Sequence, residues 1–290
     1  LHDADYSNST DIDARMTDFD GIPVVGVCEN AFFNDKEITS IKLSNNLERI
    51  ENGAFWGASN LKTITFSDGG KGLKKIDSLA FKDCSSLESI DLSNAEITEI
   101  PVRAFENCTS LKSIKLPSTV TKIADNAFAG CSNLEEIKGL EQCKISELSA
   151  TAFDGCVRLK DINLSNATIA AIPDQIFSGM RGLISATVPK TVTSIGTEAF
   201  YACKNLEMIN GLSDCDITKI GEKAFYNCWS LKEADLSGSS LTVLPASAFK
   251  GDTALLSVKM PENLNEIGNE AFYGCSAMKK LDLNNTRLTT

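Results

Sequence analysis

The chain has 290 residues, of which 42% are hydrophobic and 23% charged, an ordinary balance for a folded protein. Its formal charge of −11 repels phosphate backbones and anionic bilayers on average, which argues against a nucleic-acid partner. No run approaches the roughly 18 apolar residues that a membrane helix needs, so no membrane insertion is expected in this segment.

Residues 1–13 are rich in Asp, Ser and Asn and read as a polar N-terminal cap or frayed terminus. Their Asp3/Asp5 and Asp11/Asp13 pairs, with Asp18/Asp20 just beyond, have the alternation of a cation loop. The Gly and distal Glu of a calcium loop do not follow, and no metal site is expected.

From residue 14 to 290 the chain is expected to form one repeat domain of about eleven repeats plus a partial twelfth. Phe32, Phe55, Phe81, Phe105, Phe128, Phe153, Phe177, Phe200, Phe225, Phe249 and Phe272 recur every 23 to 26 residues. Ala precedes each of them except Phe177, where Ile176 stands. Five positions before each Phe the residue is Val, Ile or Leu, and six positions after it is Leu, Ile or Met. A longer period overlies this one: LSNAEITEIP, LSNATIAAIP and LSGSSLTVLP recur at 72-residue steps, pointing to duplication of a triplet. Asp68–Gly72 falls in the single 26-residue interval and reads as a loop insertion. At the far end the repeat pattern runs up to Thr290 with no polar cap, and the natural protein is expected to continue beyond it.

One unit illustrates the physics. Ile114 and Leu116 alternate with polar residues, predicting a short strand with one buried face. After the Pro117 turn, Val120 and Ile123 return to the interior. Ala127, Cys131 and Leu134 then lie at i, i+4 and i+7, which predicts about two turns of helix with Phe128 alongside. A unit this small must stack on neighbours to bury its apolar side, so a spine of stacked Phe rings is expected. Strands stack at about 4.8 Å while helices need more room. The expected fold is therefore an α/β solenoid: a curved array with a parallel sheet on the concave face and short helices on the convex face.

The pattern LxxIxLPxxVxxIxxxAFxxCxxL, as at Leu111 to Leu134, resembles the BspA-like (Treponema-type) leucine-rich repeat, over nearly the whole chain. The resemblance implies secreted or cell-surface proteins of mucosal microbes and protists, several of them adhesins for host matrix proteins.

Chemistry is poorly supported. Cys84, Cys108, Cys131, Cys156, Cys203, Cys228 and Cys275 all lie three residues after a repeat Phe, where other copies carry Ala58, Met180, Asp35 and Asp252. A position that accepts Cys, Ala and Met is a small apolar slot, and a free thiol fills it. Cys143 and Cys215 fit the Asn/Cys slot of leucine-rich repeats, and Cys28 stands apart. No two cysteines lie closer than twelve residues, so there is no CxxC pair for zinc or redox work. His2 is the only histidine. Catalytic residues, cofactors and enzymatic activity are not expected.

Two surfaces compete for a partner. The concave strands would display Lys115, Lys138, Asn163, Asn210, Asp235 and Lys259. Aromatic residues gather on the opposite side, where Tyr201, Tyr226, Tyr273 and Trp229 project from the segments after the repeat Phe; such rings suit interface anchors and sugar stacking. The leading expectation is a non-enzymatic surface or secreted module that binds a protein ligand, host matrix proteins among the candidates. A structural spacer within a larger surface protein is the alternative, and a glycan-binding module the third reading. Sequons at Asn8, Asn107, Asn163, Asn166 and Asn284 acquire meaning only on a eukaryotic secretory route.

Overall fold

The computed structural model describes residues 11–14, 17–19, 22–44 and 46–288. Residues 1–10, with His2, the Asp3/Asp5 pair and the Asn8 sequon, lie outside the described residues, as do Asp20 and Thr289–Thr290. The chain divides into two compact units, Leu1–Cys156 and Val157–Thr290. Each is a stack of coils bearing one repeat Phe apiece.

In the first unit Asp11–Ala14, Ser40–Leu43, Thr63–Phe66, Ser89–Asp91, Ser113–Lys115 and Glu136–Lys138 form a parallel six-stranded sheet. Pairing is in register, so Ile90 lies beside Ile114 and Ile114 beside Ile137. All three are buried, while their flanking Ser, Glu, Lys and Asp residues stay at the surface. The second unit repeats this with Asp161–Asn163, Ser185–Thr187 and Met208–Asn210, and with the pair Glu233–Asp235 and Ser257–Lys259. A second set of two-residue strands carries the aliphatic residue five before each Phe. Glu99–Ile100, Lys122–Ile123 and Glu147–Leu148 form one such ladder, and Ala171–Ile172, Ser194–Ile195 and Lys219–Ile220 another. Within each of these sheets the ladders hold successive coils in register.

The segments after these short strands are not helices. Among the described residues the only helical elements are two single 3₁₀ turns, Leu140–Gln142 and Leu212–Asp214. The expected convex helices are thus replaced by tight turns, and backbone geometry gives the reason. In ten of the eleven coils the residue two before the Phe has positive φ, and in all eleven so does the residue two after; around Phe128 these are Asn126 (φ 55°) and Gly130 (φ 74°). Left-handed residues at both places break a right-handed helix before it completes a turn. Alternate amides then serve two purposes. Ala127, Ala129 and Cys131 donate to the residue three before each of them, closing local turns. Phe128 and Gly130 instead donate to Ala152 O (2.9 Å) and Asp154 O (2.7 Å) in the next coil. The same pattern runs through both units, for example from Phe225 to Ala248 O and from Asn227 to Lys250 O. Within each unit the turn side is therefore hydrogen-bonded from coil to coil just as the strand side is, and the wider helical layer on which the expected curvature rested is missing.

The aromatic spine is present. From Phe32 to Phe153 in the first unit successive ring centroids lie 5.0–5.7 Å apart with near-parallel planes. Phe200, Phe225, Phe249 and Phe272 stack in the same way at 4.9–5.7 Å, and Phe177 meets Phe200 at a 36° tilt. Phe55 through Phe249 are almost wholly buried. Stacking at this distance is offset, the arrangement that ring quadrupoles favour.

The cysteine column has a role that spacing alone did not reveal. Each thiol donates to the backbone oxygen of the Phe one coil earlier: Cys84 to Phe55 O (3.0 Å), Cys131 to Phe105 O (3.0 Å), Cys203 to Phe177 O (3.0 Å), Cys275 to Phe249 O (3.0 Å). The coil-to-coil ladder uses alternate carbonyls; the Phe carbonyl is not one of them, and it accepts both the local turn amide and this thiol. Cys fits because it combines the volume of a small hydrophobe with a weak donor.

Asp252 occupies this slot in one coil and fits it poorly. It is fully buried; Oδ1 accepts the Cys228 amide at 2.8 Å, and Oδ2 has no hydrogen-bond partner. Burial drives its pKa up from 3.8 to about 9, although the amide pulls the other way.

Two consequences can be measured. Phe128→Ala removes a ring stacked on both faces and should cost about 3–5 kcal/mol in denaturant unfolding. Asp252 retains its proton in the folded state up to about pH 9 but releases it near 3.8 when unfolded, so its contribution to stability falls as pH rises across that window. Asp252→Cys should raise stability at pH 7 by about 1–3 kcal/mol and flatten this slope; urea midpoints at pH 5, 7 and 9 would reveal an error as an unchanged slope.

Candidate functional site

Of the strand-face residues, Lys115 and Lys138 lie in the first unit, and Asn163, Asn210, Asp235 and Lys259 in the second. All six are engaged within the chain. Lys115 Nζ sits 2.5 Å from Asp91, Lys138 Nζ 3.2 Å from Glu136, and Lys259 Nζ 2.7 Å from Asp235. Asn163 Oδ1 accepts the Ser165 amide at 3.1 Å, and Asn210 Nδ2 donates to Thr187 Oγ1 at 3.5 Å. Asp91 and Asp235 also accept the amide and hydroxyl of the serine two residues on. Partial burial would raise both carboxyls, but the lysine and serine hydrogen bonds outweigh it and hold them below the usual carboxylate range. On this face Lys115, Lys138 and Lys259 are thus each neutralised by a carboxylate of the chain itself.

The turn face differs. In the column after the repeat Phe, Tyr201 and Tyr226 stack at 5.1 Å with planes 10° apart. Lys250 follows, its ammonium 6.0 Å from the Tyr226 ring and 5.1 Å from that of Tyr273, while Glu270 pairs with it at 2.7 Å. Tyr273 is 66% exposed. Three residues after Tyr226, Trp229 is exposed, with Lys204 Nζ 3.8 Å from its ring. The four aromatic candidates therefore belong to one face of the second unit. In the first unit Trp56 is tied down by Asp83 (3.0 Å), the edge of Phe33 and the Lys82 ammonium, so its role there is packing.

A stretch of repeats this long can be compared as a whole. The BspA type leucine rich repeat region matches in six copies over residues 26–160, 98–217 and 170–289. The chain belongs to this family. Members are typically protein-binding repeat proteins. Among solved structures, a leucine rich cell surface protein from Faecalibacterium prausnitzii is 24% identical, over 90% of this chain and 83% of that one (TM-score 0.45). A leucine-rich repeat protein from Bacteroides ovatus is 22% identical over 89% and 82% (0.47), and one from T. pallidum 23% over 74% and 75% (0.43). No curated protein sequence matches the chain.

This BspA-type chain keeps its thiols out of chemistry. Nine cysteines are buried and unpaired; Cys28, by contrast, is exposed. Desolvation pushes Cys131 and Cys203 up to about 12, and Cys143 and Cys275 to about 11. Among the described residues no group of three or more His, Cys, Asp or Glu side chains could hold a metal, and no helix is long and apolar enough to cross a membrane. A groove of the first unit, about 470 Å³ and lined by Val102, Lys122–Asp125 and Glu147–Ser149, is open to solvent. Its Lys122 and Glu147 are paired with each other at 3.0 Å.

The positive-φ column two after each Phe escaped the periodicity argument, yet it was legible: Asn, Gly or Asp stands there in every coil but the one with Ala202. A thiol titration tests the burial pattern. With a small disulfide reagent the native chain should react at one cysteine, Cys28, and at all ten once denatured; fast reaction of several thiols in the native state would refute it.

Proposed function

We propose that this chain is a surface or secreted repeat module that binds a protein partner through the aromatic turn face of its second unit. The observation that carries this reading is the contrast between the two faces. Strand-face charges are neutralised in place, so a partner gains little from them. Tyr201, Tyr226, Tyr273 and Trp229 instead present large, rigid and partly exposed rings on neighbouring coils, the residue types that dominate interface energetics. Membership of a repeat family that is typically protein-binding supports the same conclusion, and host matrix proteins are the first partners to try.

Surface plasmon resonance against a panel of immobilised extracellular-matrix proteins tests it. At least one should bind, and the double variant Tyr226→Ser/Trp229→Ala should weaken that binding tenfold or more. The triple reversal Lys115→Glu/Lys138→Glu/Asp235→Lys should change it less than twofold. Loss on strand-face reversal would move the site to the sheet, and absence of binding throughout would favour the spacer reading.

A further inference from the structure

Three columns of the repeat lie between the turn face and the long strands: the positions four, seven and eight after the Phe. In the first unit they hold only Ser, Thr, Lys and Glu, from Lys36, Thr39 and Ser40 to Ser132, Glu135 and Glu136. In the second unit the same columns carry Ile184, Met208, Trp229 and Leu256, which are 44%, 48%, 44% and 53% exposed. Nothing in the repeat's own packing asks for apolar side chains here, because five coils of the first unit do without them. Exposed apolar residues scattered singly need no explanation, but these sit on adjoining coils.

Backbone register places them together. Glu207 donates to Ile184 O at 2.8 Å, Lys232 to Glu207 O at 3.3 Å and Leu256 to Lys232 O at 2.8 Å, so Ile184, Glu207, Lys232 and Leu256 form one column. Met208 adjoins it from the strand side, paired with Ser185, and Trp229 from the turn side. Glu207 and Lys232 neutralise each other at 2.6 Å in the middle. Two cations border the patch in the Trp229 column, Arg181 and Lys204. Among the described residues neither has a carboxylate within ion-pair distance, and Lys204 instead rests its ammonium on the Trp229 ring. Lys62, Lys112 and Lys190 also stand outside the ion pairs among the described residues, but Arg181 and Lys204 are cations of this kind set beside a cluster of exposed apolar side chains, in a chain of net charge −11.

We propose that Ile184, Met208, Trp229 and Leu256, with Arg181 and Lys204 at their border, form a docking site for an extended acidic segment of a partner protein, one carrying Asp or Glu next to large apolar side chains. This deepens the protein-binding reading above and rests on it. Four coils at about 4.8 Å span roughly 14 Å, the length of four or five extended residues. Apolar side chains of the segment would cover Trp229, Met208 and Leu256, and its carboxylates would take up Arg181 and Lys204. Charge complementarity selects an acidic ligand over a basic one. The aliphatic share of the patch selects a peptide over a glycan, since Ile184, Met208 and Leu256 offer no ring for a sugar to stack on.

The probe is a random twelve-residue peptide library displayed on phage and selected against the full chain. Selected peptides should be enriched in Asp and Glu beside Leu, Ile, Phe or Trp. As synthetic fluorescein conjugates they should bind at least tenfold more weakly to Arg181→Glu/Lys204→Glu and to Trp229→Ala, with unchanged thermal melting of each variant as the control. Their binding should weaken as salt rises from 50 to 300 mM. Selected peptides that are neutral or basic, or binding indifferent to the Arg181/Lys204 reversal, would overturn the proposal. Peptides sensitive to Tyr273→Ser and Tyr226→Ser but not to that reversal would overturn it while leaving the aromatic-face reading intact. Preferential binding of an acidic oligosaccharide over every selected peptide would overturn both.

Discussion

Backbone amides that alternate between closing a local turn and reaching the next coil set the terms for the rest of this structure. Because the turn side is hydrogen-bonded at nearly the spacing of the strand side, each Phe ring must sit within a strand-like rise of the next. That spacing leaves room for an offset-stacked aromatic column and for side chains no larger than Cys or Met beside it. Several Phe oxygens already accept the amide three residues on, and the thiol column adds a second donor to each. What looks in sequence like a cysteine-rich protein is thus a hydrogen-bonding solution to a packing constraint.

Asp252 and Gly139 mark the tolerance of this arrangement from opposite sides. A carboxyl in the thiol slot brings one oxygen too many and must keep its proton. Gly139, at φ 84°, ends a strand where a Cβ would lie 2.5 Å from the Leu116 carbonyl, so the 3₁₀ turn that follows is available only to coils that place Gly there; Gly211 repeats the solution 72 residues on. The triplet period evident in the residues therefore has a structural counterpart in which coils make this detour.

Function follows from what the interior leaves over. The interior takes up the eleven repeat Phe residues and nine buried thiols. The outer surfaces differ in how completely they satisfy themselves. Along the strand face Lys115, Lys138 and Lys259 each meet a carboxylate on the same or the neighbouring strand, which cancels their local field. Along the turn face of the second unit, rings and cations meet one another, and cation–π contacts leave both partners able to engage a third group.

Stacking, the Phe spine, the buried aliphatic columns and the parallel strands were all legible in the sequence, because each rests on a residue type recurring at a fixed place in every coil. The aromatic residues of the turn face were equally visible as Tyr201, Tyr226, Trp229 and Tyr273. The expected helices failed for a physical reason: i, i+4, i+7 spacing at Ala127, Cys131 and Leu134 satisfies a helix and a pair of tight turns alike, and the conformation is decided by positive φ at Asn126 and Gly130. The Gly column hinted at this, whereas Leu79, Arg103 or Lys223 at the other turn carry no chemical sign of it. Only the tertiary structure could decide which charges cancel, since Lys115 finds Asp91 and Lys259 finds Asp235 across a coil. It likewise decided that Arg181 and Lys204 have no such carboxylate among the described residues, because pairing depends on which side chains the stacking brings within reach.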